Sequence, residues 1–155
     1  MSYQIDPTDK RILELLQKNG KIKIKEIAHA LKMTNTPIFD RIKRLEKEGY
    51  IEGYSTILAK EKLGFKLVAF CSVTLEKHHK EYLTQFVEDI QDIPEVIECY
   101  HIAGMFDYLL KIYSKDMIDY QHFITQKLAA LPNIGRVQSS FVMTEIKNNT
   151  TLPLL

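Results

Sequence analysis

Between residues 34 and 47 the side chains that could do chemistry recur at helical spacing. Asn35 and Thr36 can hydrogen-bond to base edges, Phe39 can touch a thymine methyl, and Arg41, Lys43, Arg44 and Lys47 can meet phosphates, with Pro37 and Asp40 interspersed. A solvated, mixed-charge helix face is the competing reading of the same pattern. Asp107 raises a different question, because it stands at the exit of a turn in AGMFDYLLKIY (103–113), between Phe106 and the apolar run Tyr108-Leu109-Leu110. An Asp at a hairpin turn often bonds only its own backbone.

Other reactive residue types form no centre. His78 and His79 are adjacent after a strand, point apart and belong to a solvated loop with Glu76, Lys77 and Lys80. Cys99 and His101 share one strand face, but a closed zinc site needs four ligands and no second pair has suitable spacing, so no metal or other cofactor is expected. No Gly-rich phosphate loop, nucleophile elbow or His-Glu-x-x-His helix occurs, which leaves an enzyme without a candidate site.

The 155 residues are 45% hydrophobic and 26% charged, the composition of a globular chain rather than a disordered one. No apolar run approaches the roughly 20 residues that span a bilayer, and MSYQIDPTDK has no apolar signal core, so the expected location is the cytoplasm, with no membrane partner. Cys71 and Cys99, both in β-like apolar segments, are expected to be buried and unpaired. The charge is unevenly placed. Up to Lys62 there are 13 Lys+Arg against 9 Asp+Glu, and afterwards 8 against 11, so a basic first part precedes an acidic remainder. Only the first part is suited to a polyanion.

The elements that must position these residues follow from periodicity. Asp6-Pro7-Thr8-Asp9 opens a helix whose buried face is Ile12, Leu13, Leu15 and Leu16, and Asn19-Gly20 ends it. Ile24, Ile27, Ala28 and Leu31 form a second helix, and Thr34 caps a third with Ile38, Ile42 and Leu45 inward and Gly49 at its end. This is a helix-turn-helix, and Tyr50–Ile57 reads as a short wing. From Leu67 the period becomes two: Leu67, Ala69, Cys71, Val73 and Leu75 line one strand face, with Val68 and Phe70 on the other. A helix over 80–91 with Leu83, Phe86, Val87 and Ile90 inward, strands at 96–102 and 107–113, a helix with Tyr120, Phe123, Ile124, Leu128 and Leu131, and a last strand over 135–146 complete a β-α-β-β-α-β order. The expected class is α+β: a winged helix-turn-helix over 1–58, a linker over 59–66, a ferredoxin-like βαββαβ domain over 67–147 and a loose tail over 148–155. The second apolar face of the sheet favours pairing with another copy of the chain.

With both halves read, the chain resembles the Lrp/AsnC, or feast/famine, transcriptional regulators over nearly its whole length. The marks are IDPTDKRILELLQKNGK, MTNTPIFDRIKRLEKEGYIEGY, PEVIECYHIAGMFDYLLKI with its Gly-x-x-Asp-Tyr pattern, and LPNIGRVQSSFV. The resemblance implies a sequence-specific regulator of transcription that binds double-stranded DNA, is not an enzyme, responds to an amino acid or related metabolite, and forms a homodimer that assembles into tetramers or octamers. It also implies a duty for Asp107: accepting from the ammonium of a zwitterionic effector. Gly104 would then give close access to backbone, with Tyr100, His101, Ile102 and Tyr108 around the turn and Gln138, Ser139 and Ser140 on the last strand as further effector-binding residues. The family usually has Thr where Ser139 stands. An architectural DNA-binding protein without an effector is the alternative, and it predicts weak sequence preference and indifference to metabolites.

Overall fold

Asp6 opens α1 (Pro7–Lys18) by accepting from the Asp9 N–H at 2.8 Å, and the Asp9 carboxylate in return accepts from the Asp6 N–H at 3.1 Å. This reciprocal cap satisfies N–H groups that a helix start leaves open. The computed structural model describes residues 3–154 and divides the chain into two units, one running to Ile57 and resuming at Lys147, the other Leu58–Ile146. In the first unit α2 (Ile24–Leu31) ends at Lys32, whose left-handed φ of 54° makes the tight turn into α3 (Asn35–Lys47). Thr34 occupies the N-cap position of α3, although its side chain makes no capping bond. Ile12, Leu13, Ile27, Ala28, Ile38, Ile42 and Leu45 form the buried cluster where the three helices meet. Gly49, with φ 76°, lets the Tyr50 N–H reach the Leu45 carbonyl at 2.9 Å and closes α3.

Two expectations for this unit are corrected. Residues 51–59 carry no strand, so the wing segment is not a β-ribbon; a strand takes its backbone bonds from a neighbour, and none pairs with it among the described residues. Side chains hold its start instead, with the Tyr50 hydroxyl donating to the Tyr3 carbonyl at 2.7 Å and the Tyr54 hydroxyl to Glu46 at 3.0 Å. Nor is the tail loose. The Leu152 N–H donates to Gln17 Oε1 at 2.6 Å, Gln17 Nε2 donates back to the Leu152 carbonyl at 3.3 Å, and Leu154 packs against the helical cluster.

The second unit contains β1 (Leu67–Leu75), α4 (Lys80–Gln91), β2 (Val96–His101), β3 (Tyr108–Ser114), α5 (Met117–His122) and β4 (Ile134–Phe141). The antiparallel sheet has the order β2-β3-β1-β4, the ferredoxin-like arrangement. Alternation decides which residues are covered: Ala69, Cys71, Val73 and Leu75 of β1 and Tyr108, Leu110 and Ile112 of β3 meet Phe86, Ile90, Tyr120, Phe123 and Leu128 in one core. The residues between them, Val68, Phe70, Leu109 and Tyr113, line the other face, where Lys111 pairs with Glu98 at 2.9 Å. Beyond α5 the helix widens over Phe123–Leu128, and the Ala129 N–H reaches back to the Ile124 carbonyl.

Three details depart from the sequence reading. β4 ends at Phe141 rather than 146, because β1 begins at Leu67 and the bond from the Val142 N–H to the Val68 carbonyl uses the last rung it offers. Val87, placed on the buried face of α4, is 41% exposed. Cys99 lies exposed on the edge strand β2, whereas Cys71 is buried; both are free thiols.

The returning tail yields a stability prediction. Ending the chain after Asn148 removes the Leu154 contact and the Gln17 bonds, worth about 1–3 kcal/mol together. Urea unfolding followed by tyrosine fluorescence should show the transition of the first unit at lower denaturant while that of the sheet unit stays in place; coincidence with the full chain would mean the tail contributes nothing.

Candidate DNA interface and effector site

Along the outward side of α3, Asn35, Thr36, Asp40, Lys43, Arg44 and Lys47 are all exposed, and Phe39 keeps 45% of its surface open to solvent. Pro37 lies in the first turn, where its missing N–H has no helical partner to lose. An N-terminal turn with amide, hydroxyl and aromatic groups, followed by cations, suits base edges first and phosphates after. Lys43 is held only lightly, 2.9 Å from Glu46 with 60% of its side chain exposed. Arg44 is half committed: its guanidinium lies 4.3 Å from the Tyr3 ring centre and 3.9 Å from Asp9.

Arg41 does not belong with them. Its guanidinium donates to Asp6 at 2.6 Å and to Asp9 at 2.7 Å, and the Asp9 side chain has no exposed surface. The phosphate contact expected of Arg41 is therefore corrected to an internal bond that fastens α3 to the start of α1. Burial acts to raise the Asp9 pKa, but hydrogen bonds from the Tyr3 hydroxyl, Arg41 and the Asp6 N–H outweigh it and hold the carboxyl below its ordinary 3.8. Sequence reading passed over another set of cations, Lys21, Lys23 and Lys25, exposed at the start of α2, the helix that crosses the phosphate backbone in helix-turn-helix proteins. The alternation KIKIK was the available signal.

At the other site the backbone explains most of the turn. Gly104 has φ 149°, and a Cβ built on it meets nothing within 4 Å, so conformation rather than crowding calls for glycine. The Asp107 carbonyl accepts from the Ile102 N–H at 2.8 Å, and the Asp107 N–H donates to the Val73 carbonyl at 2.9 Å. Its carboxylate accepts from the Leu75 N–H at 2.8 Å and from His78 Nε2, which lies 3.0 Å from each oxygen. Burial would raise the Asp107 pKa, yet the Leu75 and His78 bonds prevail and the carboxyl sits below its ordinary 3.8. The side chain remains 22% exposed.

The remaining expected effector residues do not converge within one chain. Tyr100, Gln138 and Ser140 project from the open sheet face, Tyr100 donating to Glu98 at 2.9 Å. His101, Tyr108 and Ser139 project toward the helices: His101 stacks on the buried Tyr108 at 5.0 Å, and Ser139 accepts from Tyr120 at 2.6 Å. β2 and β4 are opposite edges, three strand spacings apart, roughly 14 Å. An open groove of about 360 Å³ adjoins the turn on the helix side, lined by Leu83, Thr84, Val87, Glu88, His101 and Tyr108. Arg136, which the sequence reading did not select, extends over the Phe106 ring at 5.8 Å and brings a cation from β4 to the turn.

A helix-turn-helix joined to a ferredoxin-like unit with such a turn defines the class of DNA-binding transcription regulators that carry a ligand-binding domain. Residues 5–52 match the winged helix-turn-helix DNA-binding model and residues 68–152 the Lrp/AsnC ligand binding domain, and the chain belongs to the Lrp/AsnC family. It is 34% identical over 151 residues to the Bkd operon transcriptional regulator of Pseudomonas aeruginosa, covering 97% of this chain and 99% of that one. It is 34% identical over 148 residues to the leucine-responsive regulatory protein of Escherichia coli, covering 96% and 90%. The solved L-Met complex of a Neisseria meningitidis transcriptional regulator superposes with a TM-score of 0.93 at 34% identity, over 97% of both chains. All three of these relatives are regulators. Among the described residues no helix is long and apolar enough to cross a membrane.

The Arg41 geometry predicts a loss of stability rather than of phosphate contact. Arg41→Ala leaves the buried Asp9 with only the more distant Arg44, 3.9 Å away, as a cation; breaking a buried pair costs roughly 3–5 kcal/mol, reduced here to about 2–3 because Arg41 is partly exposed and Arg44 remains. The depressed Asp9 pKa gives the bond a pH window: its contribution is complete above 3.8, the unfolded value, and is lost as pH falls through the folded one. Urea midpoints of wild type and Arg41→Ala should differ widely at pH 7 and converge only once the pH is below the folded pKa of Asp9, whereas equal midpoints at pH 7 would return Arg41 to the DNA face.

Proposed function

We propose that this regulator binds a pseudo-palindromic DNA site as a homodimer, assembles further into tetramers or octamers, and changes its DNA binding or assembly in response to an amino acid or related small metabolite. The observation that carries the effector reading is Asp107 Oδ1, an acceptor at a partly exposed turn whose bond, among the described residues, comes only from the exposed His78 ring. An amino acid brings an ammonium with three donors and a carboxylate. Asp107 serves the first and Arg136 the second, at a turn held open by Gly104. The solved L-Met complex of a relative supports this ligand class. Gln138 accepts from Arg136 at 3.4 Å and so stands on the β4 side of the Asp107 turn, whereas Ser140, farther along β4, and Tyr100, on the opposite sheet edge, act in the effector site of an assembly. The second apolar face of the sheet supports dimerisation, since Val68, Phe70, Leu109 and Tyr113 are only half-buried within one chain and another molecule would complete their cover.

For DNA, Asn35, Thr36 and Phe39 read bases with Pro37 and Asp40 beside them, and Lys43, Arg44, Lys47 and the α2 lysines meet phosphates. Lys43→Ala and Lys47→Ala should weaken specific and random duplexes alike and lower the slope of log K against log salt by about one each. Asn35→Ala and Thr36→Ala should change preference between sites by about 1–3 kcal/mol per lost base contact. Fluorescence anisotropy across a salt series checks both, and uniform losses for all four variants would favour an architectural binder.

The effector reading is tested by screening the common amino acids for a raised melting temperature, then titrating calorimetrically. Asp107→Asn keeps an oxygen for the Leu75 N–H and loses the charge, so affinity should fall about ten- to a hundredfold, the weight of one charge-assisted bond of roughly 1.5–3 kcal/mol. Unchanged affinity would leave Asp107 as a turn residue only.

A further inference from the structure

His78 was set aside on sequence as a solvated loop residue, yet its ring reaches the carboxylate of Asp107, 29 residues away. The loop bearing it is not free to wander. Asn133, itself in the left-handed region at φ 65°, clamps it by accepting from the Lys77 N–H at 2.9 Å, donating to the Lys77 carbonyl at 2.8 Å, and offering its own carbonyl to the Glu76 N–H at 3.0 Å. The next side chain after the clamp is His78, delivered from β1's end to Asp107.

The two carboxylate oxygens are unequally used. Oδ2 already holds the Leu75 N–H, which belongs to the backbone and stays; Oδ1 has the imidazole, which also leans on Oδ2. One ring N–H divided between two acceptors is a weak bond for either, and with 59% of its side chain exposed the ring can swing into water at small cost. An incoming ammonium needs Oδ1, the position the ring occupies.

We propose that His78 is a resident competitor of the effector: its imidazole holds the Asp107 carboxylate in the empty protein, is displaced by the effector's ammonium, and thereby sets the concentration at which the regulator responds. The inference rests on Asp107 as the ammonium acceptor. The other charged or titratable groups are Glu76, Lys77, His79 and Lys80 on the same loop, His101 at the end of β2, and Arg136 of β4, which reaches the Phe106 ring of the turn. Among the described residues none of these hydrogen-bonds to the Asp107 carboxylate, though His101 also acts on its charge, so substitution at His78 addresses the competing contact itself.

The sign of the effect separates competition from a structural or helping role. Calorimetric titration with the amino acid found by the thermal screen, run on wild type, His78→Ala, His78→Lys and Asp107→Asn, is the test. His78→Ala should bind about two- to fivefold tighter, the weight of one exposed imidazole–carboxylate contact, and His78→Lys, which supplies a tethered ammonium of its own, should bind more weakly than wild type. Loosening of the loop would weaken both variants, and an imidazole that helps hold the ligand would also make His78→Ala weaker. Either result, or an unchanged His78→Ala, overturns the competition while the loss in Asp107→Asn leaves the effector reading standing. If no amino acid binds wild type or either His78 variant, the effector reading itself falls and takes the competition with it; binding by His78→Ala alone would support both.

Discussion

A carboxylate with no exposed surface sits at the centre of the helical unit, and everything around Asp9 is arranged to make that tolerable. An unpaired buried charge would cost far more than a small three-helix core can offset. Tyr3, Arg41 and the Asp6 backbone therefore converge on it, from the approach to α1, from α3 and from the cap. The outcome is positional as much as energetic. Apolar side chains such as Ile12, Ile38 and Leu45 bring α1 and α3 together without strong preference for a particular sliding position, whereas a guanidinium bonded to two acids allows very little. The face of α3 that carries Asn35, Thr36 and Lys43 is held by the residue on its inner edge.

The sheet unit uses a carboxylate differently. Asp107 closes its turn through its carbonyl, which takes the Ile102 N–H, and ties that turn to the end of β1 through its N–H and one carboxylate oxygen, so the backbone of three strand ends depends on it. What remains is a single acceptor position at the surface. A residue whose structural bonds are mostly backbone bonds can lend its last lone pairs to a ligand without loosening the fold, which reconciles the two duties that a turn Asp was given from sequence.

Local pattern revealed the elements and long-range pairing escaped it. Asp6 and Pro7 announced α1, Gly49 ended α3, and the alternation from Leu67 to Leu75 separated the two sheet faces, because each depends on neighbours a few residues away. The partner of Arg41 lies 35 residues off at Asp6 and that of His78 lies 29 off at Asp107, and no period encodes such pairs. Arg41 looked like a phosphate ligand since charge on a recognition helix is ambiguous until its partners are known. The wing and the end of β4 were overextended for one reason: strand propensity in Tyr50–Ile57 and in 142–146 creates no strand where no neighbouring chain segment supplies rungs. Effector residues on β2 and β4 were grouped from a resemblance, and strand order put them at opposite edges.

The tail that binds Gln17 has a further consequence for how the molecule is made. Leu152 and Gln17 are 135 residues apart, so the contact closes a loop that contains the whole sheet unit. On the ribosome the three helices emerge early and can collapse on local contacts, but their hydrophobic cluster waits for Leu154 until after β4 has been synthesised. A nascent DNA-reading unit is thus the first to form and the last to be finished. Translation that halts inside the sheet leaves the helical cluster without the cover of Leu154 and α1 without the bonds of Gln17 to Leu152.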